Sequence, residues 1–191
     1  MGDKVSPPGR AGEIDRVKRR FVAGAVASLV IAPASGVLAA AAGPAERSLW
    51  LRHGVTGETV DEVYWVEGQF VPAGVSEINR LLRDTRTGEV LPIDVRLMDL
   101  LNAIHRKTES AHPIEIVSGY RSPRTNKMLR RRSGNVARNS LHMEGMAADI
   151  RIADRDMHKV RRLAMSLKAG GVAYYRRTGH LHVDVGPVRY W

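Results

Sequence analysis

Near the end of the 191-residue chain, the stretch "HLHVDVG" at residues 180–186 sets three titratable side chains at alternate positions. In an extended strand, residues i and i+2 point to one face. His180, His182 and Asp184 therefore form one polar row, while Leu181, Val183 and Val185 point the other way into a core. Upstream, "SLHMEGMAADIR" places His142 seven residues before Asp149 across a small, glycine-bearing connection. Taken singly, each group has an ordinary explanation. The first reads as the solvated face of an edge strand, the second as a turn-capping histidine and an aspartate paired with one of many arginines. Together they offer two imidazoles and a carboxylate, a set that zinc accepts in catalytic sites with the fourth position left to water. Zinc lowers the pKa of bound water to ~7 and so makes a nucleophile available at neutral pH. Iron and manganese take similar ligands, but a facial triad with open positions serves oxygen chemistry, to which no other feature of the chain points.

These residues must be held by a scaffold. Residues 48–70, "SLWLRHGVTGETVDEVYWVEGQF", read as a β-hairpin of short alternating apolar runs broken by Gly54, Gly57 and Gly68. A short helix is expected from Ser76 to a stop at Gly88. A stronger one follows in "PIDVRLMDLLNAIHRKT", with Val95, Met98, Leu101 and Ile104 on one side and His105 solvated in the last turn. "PIEIVSGYR" reads as a strand ending in a glycine turn, "SPRTNKMLRRRSG" as a helix with proline in its first turn, and "AADIRI" as a strand. "DRDMHKVRRLAMSLKAGG" reads as an amphipathic helix, and "VAYYR" and "HLHVDVG" as a terminal hairpin. No regular βαβ alternation is present, so the expectation is an α+β fold: a small antiparallel sheet with flanking helices and the zinc site on the sheet.

The first 42 residues read as an export signal: a basic start, an apolar middle and a run of small residues. The apolar stretch 21–42 is long enough to raise the rival reading of a membrane anchor, at ~20 residues for a span. It is, however, dominated by Ala, Gly and Ser, interrupted by Pro33, and offers small-x-small cleavage sites at its end in "VLAAAAG". Arg19 and Arg20, directly before Phe21, resemble a twin-arginine leader, which exports proteins already folded. The formal net charge is +10; removing the leader's six basic and three acidic side chains leaves 24 against 17, a net +7. A basic protein outside the cytoplasm meets a polyanion, and export disfavours nucleic acid relative to the cell wall polymer or an anionic membrane surface. The chain has no cysteine, so no disulfide braces it.

His142, six intervening residues, Asp149 and a downstream "HLH" resemble the H-x6-D and H-x-H signature of the zinc peptidases that include lysostaphin, the D-Ala-D-Ala metallopeptidases and the hedgehog signalling domain. The nearer resemblance is to murein endopeptidases of the D-Ala-D-Ala carboxypeptidase kind found behind twin-arginine leaders. It is carried over residues 91–191 by "VSGYRSPRTN", "SLHMEGMAADIRI", "GGVAYY" and "HVDVGPVRYW", in that order. The resemblance implies that His142, Asp149 and His182 bind Zn2+ and that His180 moves protons or stabilises the transition state beside it. It also implies that Arg121 holds the peptide carbonyl or the developing oxyanion, with Ser118, Tyr120 and Ser140 as substrate contacts. One departure concerns the base. Several relatives carry a glutamate three residues before the last zinc histidine, where this chain has Gly179. His180 is then the first candidate for the base, Asp184 the second and Glu144 the third.

The expected protein is a periplasmic zinc peptidase acting on peptidoglycan, organised as leader (1–42), hairpin-and-helix extension (43–90) and peptidase core (91–191), with no stable membrane span once the leader is removed. It hydrolyses amide bonds in stem peptides or cross-links, as an endopeptidase in preference to a D,D-carboxypeptidase. The rival from another class is a non-catalytic, zinc-stabilised wall-binding module, and a charge-driven nucleic-acid binder is the third reading. Arg121, Arg124, Lys127, Arg130, Arg131, Arg132 and Arg138 read as a rail for carboxylate-bearing stems, with a solvated helix face the equal reading for Arg130 to Arg132, so only Arg121 is given a site role. Trp50, Trp65 and Trp191 read as packing in preference to sugar stacking.

Overall fold

A computed structural model describes residues 45–134 and 136–191; the export signal read at residues 1–42 lies outside them. The order of elements is β1 (Glu46–His53), β2 (Thr59–Val66), β3 (Gln69–Phe70), α1 (Pro72–Leu81), α2 (Val95–Thr108), β4 (Ile114–Ser118), α3 (Pro123–Arg132), β5 (Ala147–Ile152), α4 (Met157–Ser166), β6 (Gly171–Tyr175), β7 (His180–Asp184) and β8 (Arg189–Tyr190). One turn of 3-10 helix, Leu141–Glu144, sits between α3 and β5. The strands form one sheet of order β3-β2-β1-β4-β5-β7-β6-β8. Its pairs are antiparallel except β1 with β4 and β6 with β8. The architecture is the expected α+β class, with the hairpin of "VAYY" and "HLHVD" in place.

Each helix is started by a local signal. Asp94, Ser122 and Asp156 cap α2, α3 and α4 by accepting from the amides of Arg96, Thr125 and His158. The helix expected from Ser76 begins four residues earlier, at Pro72. The fixed φ of proline suits the first helical position, and no side-chain cap is needed there. That helix also ends at Leu81 rather than near Gly88, because Asp84 draws the following residues into a turn by accepting at its carbonyl from Thr87 and Gly88.

The core joins Leu49, Leu51 and Tyr64 of the hairpin to Leu97, Met98, Leu101 and Ile104 of α2, Ile114 and Ile116 of β4, Ile150 of β5, and Leu181 and Val183 of β7. The hairpin at the head of the described chain is thus part of the same sheet and core as the later strands, through the register Leu51 to Ile114 and His53 to Ile116. Alternation then decides what the other face carries. Ala148 and Ile150 enter the core, so Asp149 points away from it; Leu181 and Val183 do the same for His182. Among the described residues no helix is long and apolar enough to cross a membrane.

Candidate metal centre

Asp149 and His182 are directly opposed partners across β5 and β7, and Ser118 opposes Asp149 from β4. Opposed side chains on one face of a sheet stand close enough to share a ligand. His142 reaches the same point from the 3-10 turn. Gly145 closes that turn with a left-handed φ of 67°, and a Cβ there would stand 2.8 Å from the Pro92 carbonyl oxygen, so the position suits glycine on both counts.

Three atoms converge: His142 Nε2 lies 3.2 Å from His182 Nδ1, His182 Nδ1 lies 3.0 Å from Asp149 Oδ1, and His142 Nε2 lies 3.3 Å from Asp149 Oδ1. All three residues are buried. Tetrahedral bonds of ~2.0–2.1 Å place neighbouring ligand atoms about 3.3 Å apart, so these separations fit a zinc-sized ion. The far side of each ring is tied. His142 Nδ1 is 2.8 Å from the Gly119 carbonyl oxygen, and His182 Nε2 is 3.0 Å from Asp184 Oδ2. With those nitrogens donating, the inward nitrogens keep their lone pairs for a cation, the usual arrangement behind metal-bound histidine. Gly119 is itself held by close approach: a Cβ there would stand 2.4 Å from the Leu82 carbonyl oxygen.

The two imidazoles are shifted in opposite directions. Burial, opposed by Asp149, keeps the His142 imidazole below its ordinary value. Burial also lowers that of His182, but hydrogen bonds and charge from Asp149 and Asp184 outweigh it and raise the imidazole above its ordinary value, so a cation there competes with a proton. Burial pushes the Asp149 carboxyl up, but His142, His182 and Arg121 outweigh it and hold it well below the usual carboxylate range. Asp184 is likewise penalised by burial, yet His182 and the amides of Gly171 and Gly186 bring it down to about 2.

A cleft of about 640 Å³ opens over these atoms. His180, Arg121 and Ser140 line it, with Tyr175, Arg177, Arg189 and Trp191. The His180 ring stacks on Tyr175 at 4.8 Å between centroids, and its buried Nδ1 has no hydrogen-bond partner among the described residues. Arg121 is anchored twice, donating from Nε to Ser118 Oγ at 2.8 Å and from Nη2 to Asp149 Oδ2. Asp184 does not face the cleft as an open carboxylate. It is fully buried, accepts from His182, Gly171 and Gly186, and pairs with Arg189. Tyr120 belongs to the hydrophobic core and does not line the cleft; Ser118 reaches the site through Arg121. Glu144 is exposed and also outside the cleft lining. Trp191, read from sequence as packing, stands 5.5 Å from the His182 ring between centroids, and the Arg189 guanidinium lies over the Trp191 ring at 5.0 Å. Tyr175 and Arg189 fall within blocks that carry the resemblance but are given no role there, and Arg177 carries no signal beyond residue type; the pairing of β6 with β7, Tyr175 opposite His180, brings the first of them to the site.

Comparison with known proteins gives one consistent result. A family model described as peptidoglycan L,D-endopeptidase MepK matches residues 40–191. The chain is 38% identical over 180 residues to a probable peptidoglycan L,D-endopeptidase MepK of Haemophilus influenzae, covering 93% of this chain and 97% of that one. It is 35% identical over 148 residues to the peptidoglycan L,D-endopeptidase MepK of Escherichia coli K12, covering 78% and 81%. The same values hold for the protein of that name in Shigella flexneri.

Proposed function

The chain belongs to the peptidoglycan L,D-endopeptidase MepK family, and from that premise we propose that it is an exported zinc hydrolase that cuts an L,D amide bond in the peptide part of peptidoglycan. The observation that carries the reading is the convergence of His142 Nε2, Asp149 Oδ1 and His182 Nδ1 at the floor of the cleft. His142, Asp149 and His182 would hold the ion, which when bound supplies a Lewis acid that acidifies water and polarises a carbonyl.

The chain's own residues supply the remaining functions. Gly119 and Asp184 orient the two imidazoles from behind. His180, held flat by Tyr175, accepts a proton from the attacking water and returns it to the leaving amine. Arg121 fixes the outer oxygen of Asp149, and its Nη1, without a partner among the described residues, is assigned to the carbonyl oxygen of the scissile bond. Ser140 on the cleft wall is assigned to the substrate backbone. Asp184, with every direction around its carboxylate already engaged, is assigned to positioning His182 in place of the base role. Export and a periplasmic site of action follow from the leader read at residues 1–42 and from the location of the polymer.

Purified sacculi digested with the leaderless protein should release muropeptides cut at an L,D bond, chelator should stop the release, and added zinc should restore it. Release that survives exhaustive chelation would overturn the metal, and products cut only at a D,D bond would overturn the bond.

A further inference from the structure

Behind the catalytic cleft, α3 borders a second groove of about 750 Å³. Arg124, Lys127, Arg131 and Arg132 of α3 line it together with Arg86 and Glu89 from the turn after α1. Five cations thus face one carboxylate. None of the five is in an ion pair among the described residues, whereas Arg47, Arg83, Arg151 and Arg155 each hold an acidic partner.

Helix stability does not account for the cluster. Arg131 and Arg132 in the last turn suit the helix dipole, but Arg124 in the first turn opposes it, and no acidic residue offsets it there. Lys127 and Arg131, four apart on one face, repel. A clustered charge that costs local stability and stays unpaired has the character of a binding surface. The lining also narrows the ligand. Among the described residues it has no aromatic side chain on which bases would stack. Met128 is its one large apolar side chain among the described residues, too little for insertion into a lipid surface. Arginine forks do match carboxylates, in paired hydrogen bonds. Leu129 and Ser133, from α3 and its C-terminal end, line the catalytic cleft, so a helix of about 15 Å carries one site on each side.

We propose that this groove is a second binding site, for the carboxylate-bearing stem peptides of the wall polymer, and that it holds the enzyme on the polymer while the cleft works on a neighbouring stem. The inference rests on the function proposed above, and it separates substrates by size: a polymer spans groove and cleft, while a short soluble muropeptide occupies the cleft alone.

The test is the triple variant Arg124→Glu, Lys127→Glu, Arg131→Glu of the zinc-loaded leaderless protein. Its thermal midpoint is checked against wild type, and the neutral triple Gln variant runs beside it in case the reversed charges unfold the helix. Sedimentation with sacculi at low salt should show at least a tenfold loss of binding with a shallower salt dependence, while kcat/KM on a soluble cross-linked muropeptide stays within about twofold. Wild-type binding should fall to the variant's level on sacculi whose carboxylates have been chemically amidated. Unchanged sacculus binding would overturn the proposal, as would equal losses on polymer and soluble substrate. Binding lost on anionic phospholipid vesicles but kept on sacculi would overturn it in favour of a membrane surface. If the wild type cleaves neither substrate, the proposed function fails, yet the binding arm still decides the groove.

Discussion

His180 and Asp184 lie four residues apart on one strand face, but their surroundings differ. The imidazole borders the cleft with Tyr175 behind it, whereas the carboxylate is closed in by His182, Arg189 and two amides. His180→Ala should keep about one zinc per chain and lose activity by ~10²- to 10⁴-fold, as expected for a positioned acid or base. Asp184→Asn should instead weaken zinc binding by ~10- to 100-fold and regain much of its activity in excess zinc. Metal analysis beside a zinc titration of activity separates the two, and an Asp184→Asn protein with normal zinc content but no activity would return the base role to that carboxylate. The period-two pattern of "HLHVDVG" made the shared face readable, because alternation is a property of the strand itself. The enclosure of Asp184 was not readable, since its partners Gly171 and Arg189 belong to β6 and β8. Neighbours in "SGYR" divide for a similar reason: the amide of Tyr120 donates to the carbonyl of Leu82, which seats that residue beside the core, while Arg121 turns to Asp149.

Asp84 shows what connects the elements. Its carboxylate accepts from the amide of Ser122 at 2.8 Å and from that of Arg86 at 3.0 Å, tying the turn after α1 to the cap of α3. Burial pushes this carboxyl up, but hydrogen bonds from Thr125, Ser122 and the two amides outweigh it and leave it below its ordinary value. A depressed carboxyl stabilises the fold above the unfolded value of ~3.9 and loses that contribution as pH falls through the folded one. Asp84→Ala should therefore cost about 1–3 kcal/mol at pH 7, through amides left without an acceptor. The gap to wild type in chemical denaturation should narrow below about pH 4, and a gap that stays constant down to pH 3 would show that the charge contributes nothing. The stronger elements, α2 and the β6–β7 hairpin, were legible because caps and periodicity agree over their whole length. The 3-10 turn that carries His142 was not, because it is held by distant groups: its His142 carbonyl accepts from the amide of Arg121 and its Gly145 carbonyl from that of Asp94.

The sheet runs through the division drawn from sequence at residue 90, since β1 pairs with β4 and the composition of the chain gives no hint of that parallel contact. Leu49, Leu51 and Tyr64 are almost fully buried, and at ~1.5–3 kcal/mol each their burial is comparable to the whole stability of a domain. A fragment of residues 91–191 should therefore lack cooperative unfolding by circular dichroism, with or without zinc; a sharp transition would make the hairpin an accessory. Upstream, replacing Arg19 and Arg20 by lysine should leave precursor in the cytoplasm, and unchanged export would assign the leader to the general secretory route. The spread of the proposed ligands joins these two questions. His182 stands 33 residues from Asp149 and 40 from His142 in the chain, so the three meet only after the central strands have paired. The unfolded polypeptide thus has no such site, and the compartment in which the sheet closes chooses the ion. If the chain crosses the membrane folded, it carries out a metal selected by the cytoplasm's tightly buffered supply; threaded unfolded, it would take whichever cation is most abundant outside.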